Sequence, residues 1–167
     1  MPSAADRRFF LIVAVAVIVL DAITKALAEN TLMQVSAIPV LQDIVQLRLV
    51  YNEGAAFGLH LGRYSRWLFL SFAVVAVIVL NTLSRKASAG DRLRQLACGL
   101  VAGGAIGNLI DRVRSDQGVV DFIDIGLGTL RWPTFNVADI AVTCGAIALA
   151  VSFWREDARQ AEAARAG

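Results

Sequence analysis

Two aspartates stand where a carboxylate is costly. Asp121 lies in Val119-Val120-Asp121-Phe122-Ile123, and Asp139 follows Phe135-Asn136-Val137-Ala138 at the head of a long uncharged stretch. Each has an ordinary explanation, Asp121 as a strand residue facing water and Asp139 as a first-turn acid answering the helix dipole. Side by side they could do more. Two partly desolvated carboxylates can share one proton, one acting as base toward a water and the other as acid toward a leaving amine. That arrangement hydrolyses an amide without a metal, a serine or a cysteine. Spacing alone does not bring the two together.

Further polar groups recur at helical intervals. Asn108, Asp111 and Arg112 occupy i, i+3 and i+4 on one face, suited either to binding substrate backbone or to finishing a helix. Gly99, Gly103 and Gly107 precede them every fourth residue, a spacing that lets helices approach closely. Asp21 and Lys25, four apart, can form an ion pair that braces a helix end.

The elements that must hold these groups follow from where charge is missing. The chain has 167 residues, 57% hydrophobic and 18% charged, and no charge falls in Phe9–Leu20, Trp67–Ser84, Gln95–Ile110 or Ile140–Trp154. A bilayer core of about 30 Å needs about 20 helical residues. The second block nearly suffices. The other three reach spanning length only by taking in Asp21 and Lys25, then Asn108 and Asp111, then Asn136 and Asp139. The expected fold is therefore an all-α polytopic membrane protein of one domain. Its four transmembrane helices lie at roughly 8–27, 66–84, 94–112 and 136–154, with outer segments at 28–65 and 113–135. Arg7-Arg8 and Ala26-Leu27-Ala28 also suit a cleavable signal peptide, but Asp21 and Lys25 interrupt that layout.

Basic residues are densest in the short 84–94 connection, with Arg85, Lys86, Arg92 and Arg94, so both termini are expected in the cytoplasm. Alternating spans then gather every unusual polar group at the opposite membrane face. In the outer segments Val45-Gln46-Leu47-Arg48-Leu49 alternates like a half-buried strand, and Asn52-Glu53-Gly54 reads as a turn. Val119–Ile125 and Leu130-Arg131-Trp132 flank Gly126-Leu127-Gly128-Thr129, a second turn. A small antiparallel β-sheet on the outer membrane surface is expected. A net charge of +2 argues against nucleic acid. His60 is the only histidine, which excludes a zinc-protease metal site, and Cys98 and Cys144 read as two small buried hydrophobes.

Five segments carry a resemblance. Asp21-Ala22-Ile23-Thr24-Lys25, Asn52-Glu53-Gly54-Ala55-Ala56-Phe57, Gly103–Arg112, Val119-Val120-Asp121-Phe122 and Phe135–Asp139 resemble, in order, the motifs of lipoprotein signal peptidase (signal peptidase II). The resemblance implies a bacterial inner-membrane aspartic protease without cofactor, carrying a periplasmic sheet, or cradle. Its implied substrates are prolipoproteins, cut before a diacylglyceryl-modified cysteine while their lipid stays in the membrane, and its implied inhibitor is globomycin. Asp121 and Asp139 would be the catalytic pair. Asn108, Arg112 and Asn136 would hold substrate and dyad, Asn52 and Gly54 would shape the cradle, and Asp21 and Lys25 would be the supporting pair. Ala22 departs from the family, where glutamine is frequent. Asp124 is the rival to Asp121, since a shifted register would exchange them.

The main reading from another class is a small ion-coupled transporter using intramembrane aspartates. Transporters usually place charge near the midplane and show internal repeats, whereas here the acids gather at one face and the two halves show no repeat. A non-catalytic scaffold subunit would tolerate loss of both Asp121 and Asp139.

Overall fold

Ser3 opens the first helix with a reciprocal cap. Its hydroxyl accepts from the Asp6 N–H at 3.1 Å, and the Asp6 carboxylate accepts from the Ser3 N–H at 2.9 Å. In the computed structural model, which describes residues 1–53 and 65–166, this helix, α1, runs over Ala4–Leu32. The other helices are α2 (Ser65–Lys86), α3 (Arg92–Arg114, capped by Asp91) and α4 (Val137–Ala166). All four are long and apolar enough to cross a membrane. They outrun the expected spans because helical hydrogen bonding continues past the hydrocarbon boundary. At 1.5 Å per residue the 30 residues of α4 reach about 45 Å.

α3 is the axis of the bundle, and its glycines set the distances. A Cβ on Gly103 would stand 2.7 Å from the Ala14 carbonyl oxygen of α1, and one on Gly104 would stand 2.4 Å from that of Ala138 in α4. Phe10, Leu80, Cys98 and Ala102 form the core between α1, α2 and α3. The outer faces of α1 and α2 remain apolar and exposed, with Leu11, Ile12, Val15, Trp67, Phe72, Val75 and Ile78 turned outward. Water would penalise such a surface, and a lipid belt accepts it. Cys98 is buried as expected, but Cys144 is exposed. It stands on a face of α4 left open by the described residues, which corrects the buried reading.

The described residues form four strands, β1 (Ile38–Leu41), β2 (Val45–Asn52), β3 (Val119–Leu127) and β4 (Leu130–Arg131), antiparallel in the order β1-β2-β3-β4. The sheet sits on the helix ends through Ala28, Leu32 and Phe122, with Leu47, Leu49, Ile123 and Val137 packed around them. Two boundaries differ from the sequence reading. Asn52 is the last residue of β2, paired with Val119, rather than the first of a turn; Gly54 lies outside the described residues, as does His60. Gly126 and Leu127 belong to β3, so the second turn is only Gly128-Thr129. β1 was not anticipated, because four residues including Pro39 carry little alternation.

Gly118 fixes the start of β3. Its φ of +98° is one that other residues rarely adopt, and a Cβ there would fall 2.2 Å from the Asn52 carbonyl oxygen. Only glycine lets the two strand ends come this close.

Candidate active site

Phe135 ties the head of α4 to the sheet. Its carbonyl accepts from the Ile123 N–H at 2.8 Å, and its N–H donates to the Ile123 carbonyl at 3.0 Å. Asn136 therefore sits beside Asp121 while also capping α4. Its side-chain oxygen accepts from the Asp139 N–H at 2.9 Å, and Asp139 Oδ2 accepts from the Asn136 N–H at 3.1 Å, a reciprocal cap. The first-turn reading of Asp139 is thus correct as local structure, and the same cap aims its carboxylate at β3.

The Asn136 amide joins the two aspartates. Its Nδ2 donates to Asp121 Oδ1 at 2.7 Å and to the Val120 carbonyl at 3.2 Å, and it lies 3.0 Å from Asn108 Oδ1. Asn52 Nδ2 donates to the other Asp121 oxygen at 3.0 Å. Asn108 Nδ2 donates to Asp139 Oδ1 at 2.8 Å. Asp121 is 2% exposed and Asn136 fully buried, whereas Asp139 remains partly open.

Burial pushes the Asp121 carboxyl up to about 7, and the nearby negative charge of Asp139 adds to the rise. The hydrogen bonds from Asn52 and Asn136 and the charge of Lys25 pull the other way without cancelling it. Asp121 therefore holds its proton through the pH range in which an ordinary carboxylate has lost it.

Behind the aspartates lies an ion cluster. Lys25 Nζ lies 2.7 Å from Asp21 Oδ2, 2.7 Å from Asp111 Oδ2 and 2.9 Å from Asn108 Oδ1, which occupies all three of its donors. Asp21 Oδ1 accepts from the Ala138 N–H of α4 at 2.9 Å. Asp111 Oδ2 accepts from the Val120 N–H of β3 at 3.2 Å. The i, i+4 pair expected from sequence is present, but it is more than a brace within α1, because it binds α1 to α3, α4 and the sheet at once. Gly107 makes room for it: a Cβ there would lie 2.6 Å from Asp21 Oδ2.

Arg112 donates to the Asn108 carbonyl at 3.1 Å, and its guanidinium stands 5.6 Å from the Phe69 ring of α2, in the field of Asp139, Asp121 and Asp111. Arg66, at the head of α2, was missed by sequence reasoning. It donates to the carbonyl oxygens of Arg112 at 2.6 Å and Val113 at 3.2 Å and pairs with Asp116, closing the end of α3. Its one sequence signal is a cation beside Trp67 at a span boundary. Asp124, the rival carboxylate, faces away and is bound to Arg131 Nε at 3.0 Å.

The sequence-derived residues Asp121, Asp139, Asn108, Asn136, Asn52, Asp21 and Lys25 thus form one connected network, with Arg112 at its edge. The spacing argument had left Asn108 free to bind a substrate. In the folded chain its side chain serves Lys25, Asn136 and Asp139 instead.

Comparison with known proteins covers most of the chain. A family profile described as Signal peptidase (SPase) II matches residues 13–155. The lipoprotein signal peptidase of Geobacter metallireducens is 38% identical over 158 residues, covering 94% of this chain and 97% of the relative. That of Nitratidesulfovibrio vulgaris is 41% identical over 153 residues, covering 89% and 91%. A solved bacterial membrane enzyme superposes with a TM-score of 0.78 at 30% identity, covering 90% of each chain.

Proposed function

The chain belongs to the signal peptidase II family, and from that premise we propose that it removes the signal peptide from prolipoproteins with Asp121 and Asp139 as an aspartic dyad. The observation that carries this reading is the Asn136 bridge, whose side-chain amide holds Asp121 while its backbone N–H holds Asp139. An ion-coupled carrier has no comparable support, since the matched relatives are peptidases.

Asp121, buried and still protonated near neutrality, is the general acid. Asp139, which accepts hydrogen bonds on both oxygens at the head of α4 and stays partly open, is the general base. A water between them loses a proton to Asp139 and attacks the scissile carbonyl. Asp121 then gives its proton to the departing amine. Arg112, a cation beside both acids, stabilises the charge that develops on the carbonyl oxygen.

The substrate is a prolipoprotein cut on the N-terminal side of its diacylglyceryl-modified cysteine. Its lipid stays in the bilayer while the scissile peptide meets water at the helix ends. The basic residues of the 84–94 connection support an orientation with both termini in the cytoplasm of a bacterial cell and the dyad at the periplasmic face of the inner membrane. The test is incubation of purified protein with such a substrate. Wild type should release the signal peptide and be inhibited by globomycin, whereas Asp121→Asn and Asp139→Asn should not cleave. Full processing by either variant would overturn the dyad.

A further inference from the structure

Two side-chain amides touch the aspartates, and groups that can only donate fix the direction of both. The Asn136 oxygen must face the Asp139 backbone N–H, so its nitrogen must face Asp121. The Asn108 oxygen must face Lys25 Nζ, an ammonium with nothing to accept, and the Asn136 nitrogen also reaches it. The only direction left for the Asn108 nitrogen is Asp139 Oδ1, at 2.8 Å.

We infer that Lys25 is a positioning residue for the hydrolysis, acting through Asn108: it locks and polarises that amide so that an N–H is always presented to Asp139. The inference rests on the dyad reading above. A brace between helices would require only the Asp21 and Asp111 contacts. The third contact, to Asn108, is what links the ammonium to the chemistry. The charged groups facing the pair are Asp21 and Lys25 from α1, Asp111 and Arg112 from α3, and Asp121 from β3. Among these Lys25 alone meets Asp139 through a single intervening side chain that it orients.

Removing Lys25 alone would strand two buried carboxylates, so the test pairs Lys25→Met with Asp111→Asn, which leaves the net charge of the cluster unchanged. The full chain is assayed in detergent on a diacylglyceryl-modified prolipoprotein, with thermal unfolding as the control for folding. The expected result is a kcat lowered by roughly tenfold at unchanged KM, because Asp139 loses its fixed donor. In an Asn108→Ala background the same pair of substitutions should lower kcat no further. An unchanged kcat, or a full second loss without Asn108, overturns the inference.

A second variant covers failure of the first to fold. Asn108→Asp keeps an acceptor for Lys25 and replaces the donor toward Asp139 with an acceptor. Its activity at neutral pH should fall by roughly tenfold or more, with the optimum moved to acid pH, where the new carboxyl can donate. A wild-type profile for Asn108→Asp also overturns the inference. Failure of the dyad itself reads differently, as cleavage by Asp139→Asn.

Discussion

Both ends of the helix bundle bury polar side chains, and they use them differently. At the end away from the dyad, Arg7 donates to Ser84 at 2.6 Å and Asn81 at 2.8 Å, the Ser84 hydroxyl donates to Gln95, and Gln95 donates back to the Ser84 carbonyl at 3.0 Å. Arg94 meets Ser152 and Glu156. Each donor there finds an acceptor of ordinary character, and the network ties α1, α2, α3 and α4 together. At the dyad end, four carboxylates (Asp21, Asp111, Asp121 and Asp139) share the charges of Lys25 and Arg112. Lys25 pairs with Asp21 and Asp111, while Asp121 is desolvated, accepts from the amides of Asn52 and Asn136, and keeps its proton to about pH 7. Matching every group builds a fastening. Leaving one acid short of positive charge builds a proton donor.

The comparison breaks first at Asp139. Asp139→Asn should lower cleavage by about 10⁴-fold or more while the protein still unfolds near the wild-type temperature. A loss of folding in step with activity would place this residue with the fastenings instead. Asn136→Ala comes next, since it removes a helix cap and the bridge together. Cleavage should fall by roughly 10²-fold or more, and stability by about 1–2 kcal/mol measured by thermal unfolding.

The pH profile sharpens the contrast without removing a catalytic residue. With Asp121 as acid, cleavage should decline as pH rises through about 7. Asn52→Ala deletes a hydrogen bond that favours the ionised form, so the decline should move to higher pH. Stability carries the same sign. Between the ordinary carboxylate value near ~4 and about 7, the folded chain binds a proton that the unfolded chain has released. The contribution of Asp121 is therefore complete at low pH and lost as pH rises through its folded value. Unfolding measured across that window should show a shallower slope in Asp121→Asn.

The smallest catalytic effect belongs to the far end. Gln95→Ala removes the buried partner of the Ser84 hydroxyl proton and of the Ser84 carbonyl and should cost about 1–3 kcal/mol in unfolding, with kcat unchanged on detergent-solubilised protein. A kcat that fell with it would show the two ends coupled.

Much of this is legible because a bilayer reads composition directly. Uncharged blocks become spans, and the acids and amides needed to complete three of them gather at one face. The i, i+4 spacing of Asp21 and Lys25 predicts their contact, and the glycine repeat in α3 predicts close helices. Less legible is whatever depends on rotation between elements. Asp111 was visible as one of three polar residues on a face, yet its pairing with Lys25 depends on how α1 turns toward α3. Asn52 reads as a turn residue, and it becomes the end of a strand because Gly118, far along the chain, admits its carbonyl. Ile38–Leu41 carries no periodicity of its own and is strand only because β2 offers it an edge.

The sequence by itself determined the solvent, the number of spans, the face at which polar groups collect and the chemical types available there. These follow from transfer energies and alternating topology, which are properties of residues in order. The tertiary structure alone gave Asp121 and Asp124 different surroundings. Three positions apart on a strand they face opposite sides, and only the pairing of Phe135 with Ile123 brings Asn136 to one and leaves the other to Arg131. It also set the Asn108 amide between Lys25 and Asp139, because hydrogen bonds reward direction, and direction is set by the packing of elements distant in sequence.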